Sequence, residues 1–75
     1  MNRLAKDIQT TLLKEFKSKS IKSDFDCFEK AHKIYDEYCV LKYHPENLKT
    51  NELFKLMDYL QLKEINLTNI KICKR

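Results

Sequence analysis

A chain of 75 residues is short enough to hold one domain, because it cannot fill two independent hydrophobic cores. Its composition, 43% hydrophobic and 35% charged with a net charge of +4, is too apolar for a disordered tail and too evenly mixed in sign for a polybasic arm. Gly is absent and Pro occurs once, which disfavours the Gly-rich phosphate loops, dinucleotide fingerprints and nucleophile elbows that need a Cβ-free backbone, and with them nucleotide-dependent enzymes.

Over residues 2–18 a helical wheel places Met1, Leu4, Ala5, Ile8, Leu12 and Phe16 within an arc of about 120°, the stripe of an amphipathic helix. A polar, lysine-rich connection follows at 17–23. Inside the first segment, Gln9-Thr10-Thr11-Leu12-Leu13 resembles the Gln-x-x-Leu-Leu/Phe pentapeptides by which bacterial proteins dock onto the replication sliding clamp. The resemblance covers these five residues and implies docking as an extended peptide.

Ser23 or Asp24 is suited to cap a second helix over 24–41, where an oxygen side chain accepts from a free amide of the first turn. Ten apolar or weakly polar residues, Phe25, Cys27, Phe28, Ala31, His32, Ile34, Tyr35, Tyr38, Cys39 and Leu41, gather on an arc of about 200°, the strongest pattern in the chain. Pro45 disfavours helical geometry at His44. Thr50 or Asn51 can cap a third helix over 50–62 with Leu53, Phe54, Leu56, Met57 and Leu60 on one face. The tail, 63–75, reads as a β-hairpin folded back at Thr68-Asn69, with Leu67 opposite Ile70 and Ile65 opposite Ile72; a short helix is the alternative.

The expected fold is therefore mainly α: one compact three-helix domain over 1–75 with a C-terminal β-hairpin or short helix, the hairpin making the whole a small α+β fold. This order resembles that of a winged-helix domain. Its usual chemistry is missing, since the third helix offers Glu52, Lys55 and Asp58 to solvent and the turn carries no basic residue.

Charge is unevenly placed. Residues 1–22 carry six basic and two acidic side chains, residues 23–39 two and five, and residues 40–75 seven and four, a negative band between two positive ones. Lys14, Lys17, Lys19 and Lys22 form the densest cationic patch, and Lys71, Lys74 and Arg75 a second; both are candidate contacts to DNA or RNA phosphates. Arg3 and Arg75 are the only arginines, which disfavours bidentate base reading.

Tyr43 and Tyr59 fall outside the apolar stripes and are the expected exposed anchors for a protein partner. Cys27, Cys39 and Cys73 are an odd number and include no C-x2-C pair, so neither a disulfide framework nor structural zinc is expected. On a continuous helix, Cys27 and Cys39 would stand about 18 Å apart. Cys39 and His32 are the nearest approach to a nucleophile and base, without a third orienting group. No cofactor or metal is anticipated.

No secretory or membrane-spanning run is evident, and a reducing cytoplasm fits the cysteines best. The function expected from these features is that of a non-enzymatic regulator or inhibitor, of the type encoded by phages or plasmids. It would occlude a surface of a host protein, with the replication or transcription machinery as candidate targets. The competing reading is a non-sequence-specific DNA- or RNA-binding protein using the lysine patches. Monomer and homodimer are equally compatible with the pattern.

Overall fold

The computed structural model describes residues 3–68 and 70–73. Helix α1, Arg3–Ser18, presents Ala5, Leu12 and Phe16 inward, as the apolar stripe predicts, whereas Leu4 of that stripe is exposed in the first turn. A helix must stop by turning its last carbonyls toward new donors, and here it does so with Ser20 in the left-handed region at φ 67°. Ile21 N–H donates to the Phe16 carbonyl at 2.9 Å and Ser20 N–H to that of Lys17 at 3.0 Å, while the Ile21 side chain is buried. Serine stands where glycine is usual.

The predicted second helix is broken in two. Helix α2, Asp24–Lys30, is capped by the Ser23 side chain, which accepts from the Asp26 N–H at 3.1 Å. It ends at Ala31, whose φ of −143° and ψ of 45° leave the helical region, and a 3-10 turn over His32–Ile34 leads into α3, Tyr35–Tyr43. The apolar arc of about 200° is the sum of two narrower faces, which the break at Ala31 turns in different directions. After the break, α2 buries Cys27 while α3 buries Tyr38 and Leu41. Phe25 and Phe28 are left on the outside.

A second 3-10 turn, Pro45–Asn47, connects α3 to α4, Thr50–Leu60. The residue before α4 is Lys49, and its backbone N–H donates to the Glu52 carboxylate at 2.8 Å; neither Thr50 nor Asn51 is the cap. Gln61, at φ 60°, closes α4 by the same geometry as Ser20, with Leu62 N–H donating to the Met57 carbonyl at 2.8 Å.

The tail is the predicted hairpin. Strands β1, Glu64–Asn66, and β2, Lys71–Cys73, pair antiparallel with Ile65 opposite Ile72 and Asn66 opposite Lys71. Leu67 N–H donates to the Ile70 carbonyl at 2.8 Å, the expected register continued toward the turn. Asn69 lies outside the described residues.

All four helices and the hairpin meet in one core. Phe16 is its centre, fully buried, edge-on to Tyr38 with ring centroids 4.9 Å apart and stacked on Tyr59 at 6.1 Å. Leu12, Leu41, Leu56, Met57 and Leu60 complete the interior, and Ile65 docks the hairpin onto it. Among the described residues, no helix is long and apolar enough to cross a membrane.

Candidate binding surfaces

Two surfaces result from this packing. The first lies along α2 and α3. Because α2 is only seven residues long and buries little besides Cys27, it leaves Phe25 69% and Phe28 52% exposed. Phe28 meets the Tyr35 ring edge-on at 5.3 Å and that of His32 at 5.9 Å. At the other end of this seam Tyr43, 54% exposed, donates its hydroxyl to the Asp24 carboxylate at 2.6 Å. Lys42 Nζ approaches the same carboxylate at 3.1 Å and lies 5.5 Å from the Tyr43 ring centroid.

The electrostatics follow the hydrogen bonds. The Tyr43 hydroxyl, and after it Lys42, hold the Asp24 carboxyl below its ordinary value against a partial desolvation cost. The partners respond in the complementary sense: the Asp24 hydrogen bond raises both the Tyr43 phenol and the Lys42 ammonium.

The second surface is a groove of about 470 Å³ between α1 and α3. Lys14 and Lys17 on α1 stand along it with Lys22 and Lys42, around Thr10, Leu13, Ile21 and Tyr38. Three of the four lysines expected from the sequence to form a patch thus share one hollow. Among the described residues the ammonium groups of Lys14, Lys17 and Lys22 make no ion pair, although the Lys22 backbone N–H donates to the Asp26 carboxylate at 3.3 Å.

The other expectations fare differently. Tyr43 is exposed, as anticipated for an anchor, whereas Tyr59 is half-buried on Phe16, its hydroxyl 3.5 Å from the Lys30 carbonyl. Its position at the edge of the α4 stripe made it look free; the break after α2 brings Lys30 over it. The second basic cluster is partly neutralised, since Lys71 pairs with Glu64 at 3.4 Å, and Lys74 and Arg75 lie outside the described residues.

The clamp-like pentapeptide is folded into α1, with Leu12 wholly buried and the Gln9 amide nitrogen donating to the carbonyls of Leu41 and Lys42. An extended docked form would require α1 to unfold. The separation of about 18 Å for Cys27 and Cys39 assumed a continuous helix and does not apply. Burial, and then Cys39, push the Cys27 thiol up to about 11, which keeps it protonated at neutral pH.

His32 is exposed and packs on Phe28. Among the described residues no three His, Cys, Asp or Glu side chains are placed to hold a metal ion. Sequence reasoning missed Phe25 and Phe28 as surface residues; the excessive width of the apolar arc was the signal that could have revealed them.

Comparison with protein-family models, with curated proteins and with solved structures finds no match to this chain.

Proposed function

We propose that this protein is a non-enzymatic binding module that regulates another protein by covering part of its surface. The observation that carries the reading is the pair of exposed phenylalanines on α2, Phe25 and Phe28, continued by Tyr35 and Tyr43. Large aromatic rings left in water lose the free energy of burial, and contiguous patches of them on small proteins mark interaction sites. Their neighbours Asp26 and Glu29 fit a partner with an apolar pocket and a basic rim, Asp24 being taken by Tyr43 and Lys42.

The test is affinity capture from nuclease-treated cytosolic lysate, with the wild-type chain beside Phe25→Ser/Phe28→Ser and Tyr43→Ala. The reading expects one near-stoichiometric protein on the wild type, lost on the double variant and weakened on Tyr43→Ala. Capture that disregards Phe25 and Phe28 sinks it.

A second reading, non-specific nucleic-acid binding, draws on the convergence of Lys14, Lys17 and Lys22. It requires the bound material to vanish with nuclease, and affinity to fall steeply with salt and on charge reversal at Lys17, Lys19 and Lys22.

A further inference from the structure

We propose that the lysine-rimmed groove between α1 and α3 docks an acidic peptide segment of a partner protein, with carboxylates on Lys14, Lys17 and Lys22 and an apolar side chain over Leu13. The inference rests on the protein-binding reading but concerns a different face. Three ammonium groups that make no ion pair among the described residues repel each other around one hollow, and a ligand bearing several carboxylates relieves that repulsion at each of them.

Lys42 is the exception on the rim, since Asp24 already occupies it at 3.1 Å. The floor decides between ligand classes. Leu13 is half-buried, and Ile21 and Tyr38 lie beneath, so the hollow has an apolar base that a bare phosphate chain does not use. A single-stranded nucleic acid would use an open aromatic face for stacking. Among the described residues, the one ring lining the groove, Tyr38, is 2% exposed and packs edge-to-face with Phe16. A volume of about 470 Å³ accommodates a few side chains of a peptide.

The experiment is a heteronuclear NMR titration of the whole chain with three probes: acetyl-Glu-Glu-Leu-Glu-Glu-amide, the same peptide with Ser for Leu, and a short oligothymidylate of matched charge. Shifts are expected at Thr10, Leu13, Lys14, Lys17 and Lys22, with the Leu peptide about fivefold tighter than the Ser peptide for one partly buried side chain. Lys14→Glu/Lys17→Glu should weaken the Leu peptide by about tenfold or more, and Phe25→Ser/Phe28→Ser should leave it unchanged. If the charge-reversed variant alters the circular dichroism spectrum, Lys14→Gln/Lys17→Gln takes its place.

Equal affinity for the two peptides, or shifts elsewhere, would overturn the assignment. Tighter, lysine-dependent binding of the oligothymidylate would hand the groove to nucleic acid. A concentration-dependent dimer in sedimentation, dissociated by the same lysine changes, would identify a second copy as the occupant.

Discussion

Gln9 holds the middle of α1 to the end of α3, and its replacement has a calculable cost. The side-chain amide nitrogen donates to the Leu41 carbonyl at 3.1 Å and the Lys42 carbonyl at 2.7 Å. In a continuing helix, the Leu41 carbonyl would accept from the residue four positions on, but that residue is Pro45, which has no N–H. The corresponding donor for Lys42 is Glu46, which is drawn into the 3-10 turn.

Gln9 supplies both missing donors from another helix. A net hydrogen bond contributes about 1 kcal/mol, and a carbonyl left partly buried without a donor costs somewhat more, so Gln9→Ala should destabilise by about 2 to 3 kcal/mol. For a domain of this size, that lowers the melting temperature by about 8 to 24 °C.

Gln9→Glu is the sharper variant, because at neutral pH it keeps the shape but has no proton to donate and sets a carboxylate against two carbonyl oxygens. Thermal and urea unfolding followed by far-ultraviolet circular dichroism measure both variants. If Gln9→Glu stays within about 0.5 kcal/mol of the parent, water satisfies those carbonyls and the reasoning fails.

Gln61→Gly should stabilise the chain by about 1 kcal/mol, because the left-handed conformation at φ 60° strains a residue with a Cβ; a lowered urea midpoint would contradict this. Asp24 makes stability depend on acid. Its carboxyl is held below the ordinary value in the folded chain, so its contribution is complete above the ordinary carboxylate range and is lost as the pH falls through the lowered value. Asp24→Asn should flatten the acid limb of stability against pH, and an unchanged limb would show that the hydrogen bond from Tyr43 does not persist in solution.

Much of this architecture was legible in the residues. The stripe of Leu12 and Phe16, the Ser23 cap, the α4 face and the Ile65–Ile72 pairing are local patterns, each determined by the period of one element and the chemistry of one turn. The lysines at 14, 17 and 22 were visible as a charge cluster for the same reason. What sequence periodicity did not contain was the break at Ala31.

A wheel drawn over 24–41 adds two faces of different orientation into one, and only packing against α1 and α4 decides which half of that arc is buried. That decision exposes Phe25 and Phe28 and covers Tyr59. The groove likewise exists only between helices: Lys14 and Lys17 come from α1, and the wall that makes them a site is Tyr38 and Lys42 of α3. Short-range pattern determined the elements and their inward stripes. The packing of those elements around Phe16, Tyr38 and Tyr59 decided which aromatic rings remained at the surface.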